Sequence, residues 1–258
     1  MAKVTKVQAQ KRKGRYNIFL DGEYAFPVSE ATLVDFRLMK DEELTDVQIK
    51  EIKNRENINK AYGDAANYLS YQLRTKKEMK DYLFKKEYDY PTIDAVLKKL
   101  MDLNYLDDES YANSFINTQL NTTVNGPKII EQKMIQKGVP SLIIQDKMDQ
   151  IDEDRLIENA TNFAEKQARK QRRASFQQQM TKIKQSLYQK GYSGDVINEA
   201  ISNLDLEKDD DTELDNLRKM VGKVSRRYDN QSKLITYLMG KGYRYDDIKQ
   251  VLNENEND

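Results

Sequence analysis

The sequence has no cysteine, no histidine and no tryptophan among its 258 residues. Without cysteine there can be no disulfide and no thiol nucleophile, and without cysteine or histidine the usual zinc ligand sets cannot form. The commonest general base of enzymes is also missing. We therefore expect neither an enzyme nor a bound cofactor or metal.

Long apolar segments are lacking too. No run approaches about 18 consecutive apolar residues, and the N-terminus has no apolar signal core, so a soluble cytoplasmic protein is expected. Only 38% of the residues are hydrophobic while 33% are charged, which is too little apolar surface for one large core. Lys+Arg and Asp+Glu number 43 each, so any nucleic-acid binding must depend on local clusters rather than net charge.

What the sequence does contain is a repeat of roughly 51 residues. We align it on four turn residues, Glu87, Gly138, Gly191 and Gly242, each preceded by a lysine. Apolar residues recur at fixed positions around each turn residue: Met79, Ile130, Ile183 and Leu234; Leu83, Met134, Leu187 and Leu238; Ile93, Ile144, Ile197 and Ile248; Leu97, Met148, Ile201 and Leu252. Apolar pairs four residues apart on both sides of a turn predict two short amphipathic helices per repeat.

A first helix of variable length precedes each aligned pair, so every repeat is predicted to hold three helices. The first helices are expected at about 56–72, 107–120, 152–172 and 209–229. Glycine after the second helix favours a left-handed C-terminal cap, with the preceding lysine at the negative end of the helix dipole. Because Glu87 replaces glycine in the first repeat, that turn is expected to differ.

The first 50 or so residues follow a different pattern. Asp21-Gly22 lies between two β-rich runs and predicts a hairpin. A further strand at residues 3–10 would make the sheet three-stranded. With a two-residue turn, Ile18 would face opposite to Phe26 and Val28, so either both sheet faces are covered or the turn is longer. Helices are expected after a Ser29 cap and after a capping box at Thr45.

The predicted fold is mainly α: about four tandem three-helix repeats form an elongated, curved body behind a small domain that contains the β-hairpin. The predicted bounds are residues 1–55 for the small domain, then 56–106, 107–151, 152–206 and 207–258 for the repeats. The C-terminal tail from Asn253 is expected to fray.

Basic residues gather in four clusters. These are Lys11, Arg12, Lys13 and Arg15; Arg74, Lys76, Lys77 and Lys80; Lys166, Arg169, Lys170, Arg172 and Arg173; and Arg218, Lys219, Lys223, Arg226 and Arg227. Any one of them could be a solvated helix face. The third holds five positive charges in eight residues with no acid, which favours a phosphate backbone or an acidic partner.

Other signals have simpler interpretations. Tyr88, Tyr192 and Tyr243 occupy one position of the repeat and are expected to pack between helices rather than stack on bases. The acidic runs that begin at Asp107 and Asp209 resemble metal ligands, but acids are favoured at helix starts in any case. No phosphate-binding loop of the G-x-x-x-x-G-K type is present, which argues against an ATPase.

The segment from Tyr68 to Ile116 resembles the RecX family of recombinase regulators. The resemblance is carried by Leu69-Ser70-Tyr71, by Arg74-Thr75 with Glu78 and Leu83, by Leu103-Asn104-Tyr105-Leu106-Asp107-Asp108 and by Tyr111-Ala112. It extends over residues 60–258, because that family is built from tandem three-helix repeats.

The resemblance implies a regulator of DNA repair, recombination and the SOS response. Such a protein binds RecA filaments on DNA and inhibits their ATP hydrolysis, strand exchange and coprotease activity. It supplies no catalytic residues. We expect a monomer that makes no membrane contact, with the contact candidates Arg74, Lys76, Lys77, Lys80, Lys166, Arg169, Lys170, Arg172, Arg173, Arg226 and Arg227. Three alternatives remain: a helical-repeat protein that binds DNA directly, a protein scaffold, and a carboxylate-metal nuclease.

Overall fold

The structure, a computed structural model, describes residues 1–256, and side-chain burial up to residue 254. The described residues contain 13 α-helices and a small antiparallel sheet, as predicted. The chain divides into two compact units, one of residues 1–112 with 135–143 and one of 113–134 with 144–258. The predicted repeat bounds stay a prediction.

The N-terminal sheet has four strands rather than the predicted three. Strands β1 (Ala2–Ala9), β2 (Arg15–Leu20), β3 (Glu23–Ser29) and β4 (Glu43–Leu44) lie in the order β3-β2-β1-β4. The extra strand is only two residues long and pairs with the start of β1. So short a segment carries no alternating pattern, which is why the sequence did not indicate it.

A β-bulge in the hairpin places Ile18 and Phe26 on the same face of the sheet. The turn has two residues, as predicted, with φ of 48° at Asp21 and 92° at Gly22. The register then shifts, because Ile18 pairs with Phe26 while Phe19 pairs with Tyr24. The extra residue in β3 returns Phe26 to the same face as Ile18, where both are buried.

Helices α1 (Glu30–Asp35) and α2 (Asp46–Leu69) begin at the predicted caps, Ser29 and the capping box of Thr45. However, α2 is one continuous helix of 24 residues, whereas two were predicted. No glycine or proline interrupts it before Gly63. Its first half buries Ile52 in the N-terminal core and its second half buries Ala61 in the first repeat. The predicted boundary after residue 55 lies inside this helix.

The other helices complete four sets of three. They are α3 (Lys76–Lys85), α4 (Tyr90–Asp102), α5 (Asp108–Thr122), α6 (Pro127–Lys137), α7 (Ser141–Asp149), α8 (Glu153–Gln171), α9 (Phe176–Gln189), α10 (Gly194–Ser202), α11 (Asp210–Val224), α12 (Gln231–Gly240) and α13 (Tyr245–Glu256). A 3-10 helix, Ser225–Arg227, follows α11. The tail expected to fray is helical to Glu256, and Asn257 and Asp258 lie outside the described residues.

The repeated apolar positions form the interior. The first three sets are all buried, including Ile93, Ile144, Ile197 and Ile248, which confirms their equivalence. In the fourth set Leu252 is buried and the other three side chains are half-buried. The position after each turn residue is buried as well, with Tyr88, Val139, Tyr192 and Tyr243.

All four turns are left-handed, so the expectation for the first repeat was wrong. Glu87 has φ of 64°, close to the 78–88° of the three glycines. At Gly191 an added Cβ would lie 2.9 Å from the Ile129 backbone nitrogen, and at Gly242 it would lie 2.7 Å from the Ser175 hydroxyl. Close contact with the preceding repeat therefore requires glycine at these turns. No three-helix repeat precedes the first one, so its turn can hold Glu87.

Neighbouring repeats are joined by a recurring hydrogen bond. The residue before each second helix donates to the carbonyl of the lysine that precedes the next turn glycine. These bonds run from the Thr75 hydroxyl to Lys137 (2.7 Å), from the Gly126 N–H to Lys190 (2.7 Å) and from the Ser175 hydroxyl to Lys241 (2.5 Å). This contact explains why the cap residues Thr75 and Ser175 are buried.

A carboxylate supports two of these junctions. Asp108 accepts the Lys76 N–H and Glu213 accepts the Phe176 N–H, both at 2.9 Å. Burial raises the pKa of the Glu213 carboxyl. At the third junction Pro127 has no N–H to donate. There Asn159 donates to the Leu120 carbonyl of the preceding repeat, and the residue three before it is Leu156 rather than a carboxylate.

The N-terminal domain contacts the first repeat in the same manner. Glu56 accepts the Ser29 N–H at 2.7 Å, and Asn59 donates to the Thr32 hydroxyl at 2.9 Å. In the last junction the same three-residue spacing separates Glu213 from Asn216, whose amide donates to a carbonyl of the preceding repeat. The small domain thus covers the first repeat as a further repeat would, which is how repeat arrays protect their ends.

Candidate interaction surface

The third basic cluster lies at the C-terminal end of α8. Lys166, Arg169 and Lys170 are exposed and share one face, since they are three and four residues apart. The opposite face is buried through Leu156, Ala160, Phe163, Ala164 and Ala168. Arg172 caps the helix and Arg173 follows it, and both are exposed. The helix therefore presents its positive charge to solvent.

Arg169 and Arg172 line a cavity of about 500 Å³ that also has acidic residues in its wall. These acids are Glu165 and Asp205, and an Arg169 nitrogen lies 3.6 Å from the Glu165 carboxylate. The pair is exposed and adds little stability. The acids do, however, offset part of the positive charge on this side of α8.

Beyond the C-terminal end of α8, Arg173 borders a cleft of about 310 Å³ that we call the basic cleft. It is lined by Arg173, Asn216, Lys219, Met220 and Lys223. Three cations thus converge, and no carboxylate is part of the lining among the described residues. Such a concentration of positive charge suits a phosphate or carboxylate group of a partner.

Asn216 holds this cleft together. It is 7% exposed, and its side-chain amide donates to the carbonyls of Arg172 (2.9 Å) and Ala174 (3.3 Å). The segment after α8 is thereby fixed against α11. As a result Arg173 faces two lysines that are four residues apart on α11.

The contact candidates of the fourth basic cluster lie outside this cleft, and they stay a prediction. Arg226 and Arg227 are exposed on the 3-10 helix and do not line it. Lys219 and Lys223 do line it, although they were not among the contact candidates. Their spacing of four residues was the available signal, but only the hydrogen bonds that fix the segment after α8 against α11 place them beside Arg173.

In the first repeat, Arg74 has a packing role. It is half-buried, with its guanidinium carbon 4.0 Å from the centre of the Tyr68 ring. Tyr68 in turn stacks on Tyr82 at 4.0 Å, and the Lys86 ammonium lies 5.7 Å from the Tyr82 ring. Arg74 therefore belongs to a layered stack of cations and tyrosines that joins α2 to α3.

The lysines beside Arg74 remain exposed. Lys76 uses its backbone N–H at the junction, and the Lys77 stem packs next to Gly138. The Lys80 ammonium lies 5.7 Å from the Tyr90 ring. A hydrogen bond from Lys137 to Glu78 raises the pKa of Lys137 and secures this junction. All three lysines can still direct charge to a partner.

The acidic runs serve as helix caps. Asp107 accepts the N–H groups of Glu109 and Ser110. The hydrogen bond with the Ser110 side chain, followed by these two backbone bonds, lowers the pKa of its carboxyl. Asp209 accepts the N–H of Asp211. Among the described residues, no group of three or more acids is arranged to hold a metal ion.

Two further features of the described part of the chain bear on function. None of its helices is both long and apolar enough to cross a membrane. The tyrosines of the repeat, Tyr88, Tyr192 and Tyr243, are buried between helices, and burial raises the pKa of Tyr192 to about 12. Their packing role confirms the simpler interpretation of the tyrosine pattern.

Comparison with known families gives four matches in order along the chain. Residues 2–45 match the model of the regulatory protein RecX N-terminal domain. Residues 61–100, 107–148 and 153–201 match those of the first, second and third RecX three-helix domains. The chain belongs to the RecX family. The first three repeats and the small sheet correspond to these RecX domains.

Individual RecX proteins are similar over nearly the whole chain. The regulatory protein RecX of Listeria welshimeri is 38% identical over 261 residues, which cover 98% of this chain and 97% of that protein. A crystal structure of regulatory protein RecX has a TM-score of 0.69 at 39% identity, covering 79% of this chain and all of the other. RecX from Lactobacillus salivarius has a TM-score of 0.57 at 38% identity, covering 59% and 99%.

Proposed function

We propose that this RecX-family protein binds the RecA filament on DNA in the cytoplasm and inhibits its ATP hydrolysis, strand exchange and coprotease activity. The match to regulatory RecX proteins along 98% of the chain carries this proposal. The exposed cations of α3 and α8 support it, because they offer contact sites on separate repeats.

Inhibition can follow from binding alone. Several modest contacts on one chain raise its effective affinity for a repetitive partner, since each contact brings the next within reach. A protein that touches more than one subunit in a single conformation favours that conformation by its differential affinity. It thereby opposes the rearrangements that accompany ATP turnover, without catalytic residues of its own.

The purified protein is expected to slow ATP hydrolysis by RecA on single-stranded DNA at substoichiometric to stoichiometric ratios. By itself it should neither hydrolyse ATP nor cut DNA. A coupled ATPase assay with preformed filaments, together with a nuclease assay with Mg²⁺, tests both statements. Metal-dependent cleavage by a clean preparation, with unchanged RecA activity, would contradict the proposal.

Direct DNA binding is the second candidate function, and the basic cleft favours it. Three cations without a carboxylate among them suit a phosphate backbone. This function predicts affinity for DNA without RecA, and a linear fall in the logarithm of affinity with the logarithm of salt concentration. A protein scaffold predicts instead that partner binding survives reversal of the basic charges.

Reversal of Arg169, Arg172 and Arg173 to glutamate is expected to abolish filament binding while folding is retained. The three residues are exposed, so each change should shift stability by less than about 0.5 kcal/mol. If the patch binds phosphate, the variant will also show a shallower salt dependence. Co-sedimentation with RecA filaments and fluorescence anisotropy with labelled DNA measure both effects.

The matched control is reversal of Lys40, Lys50 and Lys98, which are exposed and lie outside the basic clusters. It changes the net charge equally and should bind as the wild type does. A Lys219→Glu/Lys223→Glu variant then separates the basic cleft from the cavity beside Arg169. If the arginine variant is folded and inhibits ATP hydrolysis at the wild-type concentration, this cluster is a solvated face.

A further inference from the structure

Every repeat exposes one large apolar side chain at the same place, three residues before the turn residue. These side chains, which we call the apolar row, are Phe84 (56% exposed), Ile135 (56%), Tyr188 (69%) and Met239 (49%). One compact unit contains Phe84 and Ile135, and the other contains Tyr188 and Met239. Single exposed apolar residues are common, but recurrence at one position of four repeats needs a reason.

The turn does not supply that reason. Its hydrogen bonds use only the backbone of the apolar row, because the N–H of the turn residue donates to the carbonyl of Phe84, Ile135, Tyr188 or Met239 at 2.8–2.9 Å. The apolar contact typical of this cap joins the residue four before the turn to the one after it. In the third repeat these are Leu187 and Tyr192, both buried. Phe84 has a ring contact with Tyr90, with centroids 5.8 Å apart, but the turn itself does not require an apolar side chain in the apolar row.

The helices that carry the apolar row are all net positive. Helix α3 has four lysines against two acids, and α6 has three lysines against one. Helix α9 has two lysines and α12 has one, with no acid in either. The complementary surface is therefore acidic with apolar spots. Since Ile135 and Met239 are aliphatic and cannot stack on bases, that surface belongs to a protein rather than to a nucleic acid.

We infer that the second helices of the repeats, α3, α6, α9 and α12, face the protein subunits of the filament, and that the apolar row supplies their central contacts. A row that recurs once per repeat fits a partner that also repeats, namely identical subunits with equivalent acidic and apolar sites. This inference rests on the proposed function. It names the contacting side chains of each compact unit, with the lysines of the second helices at the rim of each apolar contact.

The experiment replaces the apolar row by serine in two pairs, Phe84→Ser/Ile135→Ser and Tyr188→Ser/Met239→Ser, and in the quadruple variant. Binding to RecA filaments on single-stranded DNA is measured by co-sedimentation, and inhibition by the half-inhibitory concentration for ATP hydrolysis. Each pair is expected to weaken binding about tenfold, and the quadruple variant more strongly, since buried apolar anchors dominate interface energies. Because the changed side chains are exposed, melting temperatures should stay near that of the wild type.

The matched control carries four serine substitutions at exposed apolar residues outside the second helices, namely Val34, Met39, Val47 and Leu142, which are 62–80% exposed. It should bind as the wild type does. If the quadruple variant binds no more weakly than this control, the inference is wrong although the proposed function stands. If the wild type itself does not bind filaments, the proposed function fails first.

Two more measurements exclude other occupants. Anisotropy with a labelled oligo(dT) strand, without RecA, should give the same affinity for the wild type and the quadruple variant. A loss confined to this assay would mean that the apolar row binds nucleic acid, which would overturn the inference. Sedimentation velocity should show the same oligomeric state for both proteins. A wild-type dimer that the quadruple variant dissociates would identify the apolar row as a self-association surface instead.

Discussion

Leu187→Ala and Leu238→Ala are each expected to lower the free energy of unfolding by about 2–5 kcal/mol. Both side chains are completely buried four residues before a turn glycine. Leu238 lies in the core of the last repeat with Leu217, Val221 and Tyr243. Truncation removes apolar contacts and leaves a cavity, because the backbone around the turn is held by its own hydrogen bonds.

Urea denaturation followed by circular dichroism measures this loss. The controls are Tyr188→Ala and Met239→Ala, the next residues along the chain, which are 69% and 49% exposed. They should change the free energy of unfolding by no more than about 0.5 kcal/mol. Comparable losses in the leucine variants and the controls would mean that these positions do not form the interior of the repeats.

Gly191→Ala is expected to destabilise the protein by about 2–5 kcal/mol through two separate costs. A left-handed conformation costs a residue with a Cβ about 1–2 kcal/mol, and Gly191 has φ of 86°. In addition, the new Cβ would lie 2.9 Å from the backbone nitrogen of Ile129 at the start of α6. Overpacking of this kind typically costs about 1–3 kcal/mol, since α6 must shift away from the turn.

Position 87 separates the two costs. Glu87 has a similar left-handed φ of 64° but is exposed, so Glu87→Ala should be nearly neutral. Glu87→Gly should raise the free energy of unfolding by up to about 1 kcal/mol, because relief of the left-handed conformation is partly offset by the greater entropy of glycine in the unfolded chain. Denaturation of the three variants under one set of conditions compares them. Equal losses for Gly191→Ala and Glu87→Ala would show that contact between repeats does not select glycine.

If both predictions hold, the repeats are coupled through their turns. The bond from Ser175 to the Lys241 carbonyl joins the third repeat to the fourth beside Gly242, and the basic cleft spans the same pair of repeats. A loss of packing at this junction would then weaken filament binding indirectly. For this reason the charge-reversal and serine variants are best compared at matched thermal stability.

Much of the fold could be predicted from local patterns. The four turn residues, the apolar positions around them and the caps at Ser29 and Thr45 all agree with the structure. Each of these features acts within a few residues of the chain. A helix cap or an amphipathic stripe is therefore readable without knowledge of what packs against it.

The features that sequence analysis missed depend on distant partners. The bulge that places Phe26 beside Ile18 is set by burial against the other side of the N-terminal core. Helix α2 continues through residue 56 because its first half packs in the N-terminal core and its second half packs in the core of the first repeat. Glu87 was expected to change its turn, but the need for glycine comes from the neighbouring repeat and not from the turn itself.

The same division applies to the interaction surface. The sequence by itself determined the number of repeats, their helices and the positions of the basic clusters, because periodicity and charge are properties of the chain. Only the tertiary structure decided that Arg173 meets Lys219 and Lys223, that Arg74 is engaged with Tyr68, and that the apolar row is exposed. Which side chains converge, and which stay in solvent, depends on how helices from different repeats pack, and no local pattern encodes that packing.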